Sequence, residues 1–290
     1  MICNLCPRIC GAERTEEKGG GVCAMPSLPV VAKAMLHQWE EPCLVGEHGA
    51  GTVFFSGCNL RCCFCQNGPI SKERFGKQVS VARLREIFHE LVDQGAACLD
   101  LVTPTHFSHA VMEALGEEDW GVPVVWNCGG YEKVETLQKL EGKVQVYLPD
   151  LKYAVGEKAK KYSAAEDYFE VATAAILEMF RQTGPYMLEN GQLKRGVLIR
   201  HLLLPGELEN TRRVIDWVAA NFRPGEVLFS LMSQYTPQPG AEGNLRRHVT
   251  KAEYRAAMEY MENCGIEDGF TQERTSAKEE YTPDFDLSGV

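Results

Sequence analysis

The chain has 290 residues, 44% of them hydrophobic and 24% charged, enough to bury a full core as one large α/β domain or two smaller ones. A formal charge of −10 weighs against a nucleic-acid partner. No apolar stretch approaches the roughly 20 residues of a membrane span, and "MICNLCPRIC" has neither a basic nor an apolar leader region. A cytoplasmic protein without a signal peptide or membrane partner is therefore expected.

Residues 1–49, rich in Gly and Cys, read as a small irregular cap without a core of its own. From residue 51 short apolar strands alternate with amphipathic helices. The predicted strands are Gly51–Ser56, Cys98–Val102, Val122–Asn127, Val144–Leu148, Val197–Leu203 and Val227–Met232. The predicted helices lie near Val81–Gln94, Phe107–Leu115, Lys133–Leu140, Glu166–Thr183, Thr211–Asn221 and Lys251–Asn263. In the fourth of these, Phe169, Ala172, Ile176, Met179 and Phe180 follow the i, i+3, i+4, i+7 spacing of one helix face. Successive β–α units predict a parallel sheet with right-handed crossovers. The acidic stretch "KEEYTPDFDLSGV" closes the sequence and is expected to run across the surface. The expected division is a cap over 1–49, a core domain over 50–270 and a tail over 271–290.

Several strands end in polar or glycine turns: "SGC", "TPTH", "NCGG", "PDLK", "PG" and "SQYTP". In a β/α barrel the C-terminal strand ends build the active site, so these turns point to an enzyme.

Twelve cysteines are a second signal, and eight of them fall into two groups. In a reducing compartment such grouping favours metal or cluster ligation over disulfides. Cys58, Cys62 and Cys65 give C-x3-C-x2-C on the loop after the first predicted strand. Three thiolates can hold three irons of a cubane and leave the fourth open, whereas a closed cluster takes four cysteines. A zinc knuckle would want a fourth ligand nearby. Cys63 falls outside the spacing and is read as a packing residue. Cys3, Cys6, Cys10 and Cys23 give C-x2-C-x3-C-x12-C, a complete four-thiolate set that suits either zinc or a second [4Fe-4S] cluster. Pro7 and Arg8 fit a tight turn carrying a charge that offsets thiolates.

"CNLRCCFC" after the first strand of a (β/α)6 pattern resembles the radical S-adenosylmethionine (SAM) superfamily, over roughly residues 50 to 270. The resemblance implies a partial (β/α)6 TIM-like barrel with a Cys-rich N-terminal cap and a C-terminal tail. It implies that Cys58, Cys62 and Cys65 hold a [4Fe-4S] cluster whose open iron binds SAM. Reductive cleavage would then give a 5′-deoxyadenosyl radical that abstracts hydrogen, with Phe64 against the adenine. An electron donor such as flavodoxin or ferredoxin is implied too.

Within that superfamily, "YLPDLKY" at 147–153 and "IRHLLLPG" at 199–206 are similar to strand ends of the pyruvate formate-lyase activating-enzyme group. By that likeness Asp150 and Lys152 lie near SAM, Arg200 and His201 face SAM or substrate, and Asn127 occupies a polar third strand end. The group's Gly-Gly-Glu after the second strand is replaced by "TPTHF", which leaves Thr103, Thr105 and His106 as stand-ins. "GGYE" at 129–132 follows the third strand, and Tyr131 breaks the motif, so it is not taken as that carboxylate. The implied substrate is a protein or peptide. A small molecule or RNA is the alternative, and a non-catalytic metal-binding module a third reading.

Overall fold

The computed structural model describes residues 1–271 and 283–290. Among the described residues ten strands form one sheet: β1 (Val30–His37), β2 (Ala50–Phe55), β3 (Lys77–Gln78), β4 (Leu99–Val102), β5 (Val124–Cys128), β6 (Val146–Pro149), β7 (Met187–Glu189), β8 (Gln192–Leu202), β9 (Leu228–Met232) and β10 (Gly269–Thr271). Their order is β10-β9-β8-β6-β5-β4-β2-β1-β3, with β7 paired to β8. From β2 to β10 every neighbour along this path is parallel, whereas β1 is antiparallel to both β2 and β3. Among the described residues no pairing joins β3 to β10. The sheet is the expected partial barrel, open along one side.

The helices are α1 (Pro42–Val45), α2 (Gly68–Ser71), α3 (Val81–Asp93), α4 (Ser108–Leu115), α5 (Val134–Leu137), α6 (Gly156–Ser163), α7 (Tyr168–Thr183), α8 (Leu208–Asn221) and α9 (Lys251–Asn263). Local chemistry sets their ends. The Ser80 side chain accepts from the Arg83 amide at the start of α3, and Thr250 and Glu253 form a reciprocal capping box on α9. Along α7 the predicted face is real. Ala172, Ile176 and Met179 are fully buried, and Phe169 and Phe180 pack at the margin of the same core.

The six predicted strands and six predicted helices all appear, because parallel strands buried on both faces read as short apolar runs. The first fifty residues are less irregular than expected. "VVAKAMLH" forms β1, where Lys33 interrupts the apolar run and hides the strand from pattern reading. Of the expected tail, residues 272–282 lie outside the described residues, and residues 283–290 cross the edge of β1.

Strand register decides what fills the barrel. Thr52, Asp100, Val125 and Val146 stand side by side on one face, and Phe54, Val102, Asn127 and Leu148 form the next row. The opposite face, including Val53, Leu101, Trp126, Tyr147 and Ile199, packs under the helices as the main core. A smaller core of Ala50, Cys98, Val125, Val146, Leu198 and Leu228 is sealed by Cys43 and Leu44 of α1.

Candidate active site

The loop after β2 carries the central cysteines in a tight local fold. Arg61 adopts φ 53, the Leu60 amide donates to Cys58 Sγ at 3.3 Å, and the Cys65 amide donates to the Cys62 carbonyl at 3.1 Å. Outside groups fix two of the sulfurs. Ser71 Oγ donates to Cys65 Sγ at 3.3 Å, and Ser163 Oγ, at the end of α6, donates to Cys62 Sγ at 2.9 Å. The Phe64 ring is buried edge-on among Tyr153, Tyr162 and Tyr235, with centroids 6.1–6.4 Å away. That aromatic wall keeps water from one side of the loop.

Burial pushes the Cys58 thiol up to about 12, and neighbouring Cys62 adds to the effect. Cys65 is raised by burial and then by Cys62, against the pull of its Ser71 hydrogen bond and of Lys152. Cys58 and Cys65 both feel the neighbouring sulfur of Cys62, and a strongly cationic partner is what would let these two buried thiols ionise. Among the described residues no three His, Cys, Asp or Glu side chains converge as ligands of a single metal ion. Three cysteines on one loop, with no fourth thiol in the spacing, are a donor set that fits a cubane, which takes its thiolates at separate irons.

Cys63 is exposed, which corrects its reading as a packing residue; its amide donates to the Tyr162 carbonyl at 2.9 Å.

The other strand ends bring a charged network to the same mouth. Asp150, just past β6, is shared between the Lys152 ammonium and Arg200 Nε, the latter at 3.0 Å. Arg200 also donates through Nη1 to Glu40 Oε1 at 3.0 Å and through Nη2 to Asn127 Oδ1 at 2.6 Å. Asn127 Nδ2 in turn donates to Glu40 Oε2 at 3.0 Å. Burial would raise the Asp150 carboxyl, but Lys152 and Arg200 outweigh it and hold it below its usual range. Burial would lower Lys152, but Asp150 and then Cys62 overcome it and hold the ammonium charged. Lys152 therefore ties the network electrostatically to the cysteine loop.

Gly130, at φ +76, makes the turn after β5 possible, because a Cβ there would lie 2.1 Å from the Asp150 carbonyl. On the far side, Gln66 Nε2 donates to the Gln234 carbonyl at 3.2 Å and draws the β2 and β9 loops together.

Thr103, after β4, has φ 61, and its amide donates to the Asn127 carbonyl at 2.8 Å. A β-branched residue in the left-handed region costs on the order of 1–3 kcal/mol, a strain the surrounding structure has to hold.

Thr105 and His106 are placed elsewhere. Thr105 donates to the buried Glu132 carboxyl, which burial raises to about 8. His106 Nε2 meets the Ser56 carbonyl at 2.7 Å, and burial lowers its pKa to about 3. His201 also lies apart from Arg200, because successive strand residues point to opposite faces. Its Nδ1 meets the Leu151 carbonyl at 2.6 Å and its Nε2 meets Thr211 Oγ1 at 2.9 Å, under α8. Fully buried, with its pKa lowered to about 4, it is a neutral packing residue that does not face the site.

The N-terminal set lies beside the central loop. Cys3, Cys6 and Cys23 are buried and Cys10 is exposed. Burial pushes Cys6 up to about 12, with contributions from Glu132, Cys23 and Cys3, and Cys23 in turn feels Cys3 and Cys10. Arg8, between Cys6 and Cys10, donates through Nε to the Asn59 carbonyl at 2.8 Å and through Nη2 to the Ser163 carbonyl at 2.7 Å. One side chain thus bolts the cap onto the loop and onto the serine that bonds Cys62. Arg8 thus acts as a clamp, a role its place in the cysteine spacing did not announce.

Glu40, Ser71, Ser163 and the three tyrosines went unpredicted. The partners of Glu40 lie 87 and 160 residues away, so no local pattern announces it.

No protein-family model matches the chain. It is 28% identical over 277 residues to the uncharacterized protein MJ0674 of Methanocaldococcus jannaschii, covering 91% of this chain and 75% of that one. Among solved structures it is similar to Streptococcus suis SuiB, with TM-score 0.50 and 12% identity over 77% of this chain and 48% of SuiB. It is also similar to spore photoproduct lyase, with TM-score 0.50 and 10% identity over 83% of this chain and 81% of that one. The chain thus spans about half the length of SuiB, at 48%. At such identities the likeness is one of fold: the chain shares with these proteins the partial α/β barrel that was expected of it.

Proposed function

We propose that this chain is a radical SAM enzyme. The observation that carries the reading is the meeting, at the strand C-termini, of three thiols from one loop with the Lys152–Asp150–Arg200 network. Cys58, Cys62 and Cys65 would hold a [4Fe-4S] cluster that, with SAM on its open iron, supplies reductive cleavage to a 5′-deoxyadenosyl radical for hydrogen abstraction. The protein's own part is orientation and exclusion of water. Lys152 offers a charged, half-buried ammonium to a ligand carboxylate, and the ring of Phe64 screens the loop. Thr103 brings a strained backbone to the second strand end.

A protein or peptide is the substrate class we favour, as in glycyl-radical activation, and the net charge of −10 weighs against RNA. A reducing protein donor such as flavodoxin or ferredoxin, and a cytoplasmic location, complete the reading. No helix among the described residues is long and apolar enough to cross a membrane.

Anaerobic reconstitution tests the proposal. Wild type should show a cubane spectrum and cleave SAM under a strong reductant, whereas Cys58→Ala, Cys62→Ala or Cys65→Ala should lose both. Cys63→Ser should keep both, because the exposed Cys63 lies outside the spacing. Full SAM cleavage in any of the three alanine variants refutes the ligand set.

A further inference from the structure

The parallel barrel is open between the β1/β3 edge and β10, and the chain's last residues stand in that opening. Register places Lys33, Met35 and His37 of β1 opposite Phe54, Thr52 and Ala50, on the face turned into the barrel. Residues 283–290 pack on this face and then cross the strand's edge. The Phe285 ring meets Phe54 edge-on, with centroids 5.5 Å apart at 72°, beside Ala32, Ile70 and Val102. Lys33 Nζ donates to the Asp284 carbonyl at 2.8 Å and to Asp286 Oδ1 at 3.1 Å. At the edge, the Leu287 amide donates to the Ala32 carbonyl at 3.1 Å, and the Ala34 amide donates to the Ser288 carbonyl at 3.0 Å. Lys77 Nζ donates to the Val290 carbonyl at 3.1 Å.

Such an arrangement is how an extended peptide is held at a sheet edge: main-chain bonds give affinity, and pockets for alternate side chains give specificity. Phe285 and Leu287 are half-buried, while Asp284, Asp286 and Ser288 are exposed. The occupied surface also adjoins the candidate active site. Phe54 lies on the strand that leads into the Cys58 loop, and Ile70 precedes Ser71, which bonds Cys65 Sγ.

We propose that this side opening is a docking site for an extended polypeptide with an aromatic residue between acidic ones, and that residues 283–290 are its built-in competitor. Phe54, Val102 and Ile70 take the aromatic ring, Lys33 takes the following carboxylate, and Ala32 and Ala34 take the main chain. The proposal rests on the radical SAM reading for its purpose, since the docked polypeptide would be the hydrogen donor, but its geometry needs neither cluster nor SAM.

The probe is a fluorescein-labelled peptide PDFDLSGV, read by anisotropy against the full-length, metal-free protein. A tethered competitor acts at an effective concentration on the order of millimolar, so wild type should bind the probe weakly. The full-length double variant Phe285→Ala, Asp286→Ala should bind it at least about tenfold more tightly, because its own tail no longer competes. Adding Lys33→Glu to that variant should remove the gain. Equal affinity in wild type and double variant, or no loss with Lys33→Glu, overturns the proposal. A measurement on unaltered protein guards against misfolding. Excess unlabelled peptide should speed amide exchange at Leu287, and an unchanged Leu287 rate overturns the proposal as well. Peptide binding by a protein that fails to cleave SAM after anaerobic reconstitution would leave the docking site standing and refute the radical reading alone.

Discussion

Glu41→Gln isolates one buried carboxyl on the segment that leads into α1. Glu41 is 5% exposed, and burial raises its pKa from the ordinary 4.5 to about 7; Arg200 lowers it less than burial lifts it. A carboxyl with a raised folded pKa favours the folded state below its unfolded pKa. That contribution is lost progressively as pH rises from 4.5 towards about 7. At about 1.4 kcal/mol per pH unit, the gap is worth roughly 3 kcal/mol. Gln keeps the shape and a neutral charge and does not titrate, so the variant should escape this loss. Urea unfolding of both proteins at about pH 4.5 and about pH 8 measures it. The stability of Glu41→Gln relative to wild type should rise by about 3 kcal/mol between the two. A difference flat to within ~0.5 kcal/mol, the ordinary effect of a surface change, would mean that Glu41 is solvated and refute the reasoning.

Substituting Cys6 and Cys10 together by Ala should lower reconstituted iron from about eight to about four per chain if the cap holds a second cubane. With zinc, the iron stays at about four and one zinc is lost; elemental analysis decides, and equal metal content in the two proteins would mean that these cysteines ligate nothing. Ser163→Ala removes the 2.9 Å bond to Cys62 Sγ and should shift the reconstituted cluster's midpoint to more negative potential, as read by spectroelectrochemical titration. An unchanged potential would place that serine outside the ligand's environment.

The strands were legible because each is a short apolar run ending in a turn, and the central cysteines because their spacing is local. What stayed hidden has physical reasons. α6, "GEKAKKYS", carries too few apolar residues to show a face, yet it delivers Ser163 to Cys62. Glu40 sits before α1, and only the folding of the sheet brings it to Arg200 and Asn127. His201 went astray for the opposite reason. A family likeness carries residue types from one chain to another, but alternation along β8 forbids two neighbours from facing one site. Period-2 reasoning applied to "IRHL" alone would have chosen between Arg200 and His201.

The same alternation bears on which cation could serve a ligand. Two cations, Lys152 and Arg200, stand inside the barrel near Glu40 and Asp150, while burial raises Glu41 and Asp100 toward their neutral forms. Arg200 is committed in three directions, to Asp150, Glu40 and Asn127. Withdrawing it would leave Glu40 without its cation and Asn127 Oδ1 without its donor, and breaking a buried pair costs about 3–5 kcal/mol. Among the described residues Lys152 bonds one carboxylate, and that carboxylate keeps Arg200 if the ammonium turns away. An arriving carboxylate can therefore recruit Lys152 without leaving Asp150 unpaired. Arg200 and Glu40 hold the frame, and of the two cations Lys152 is the one that can turn from Asp150 at the smaller cost.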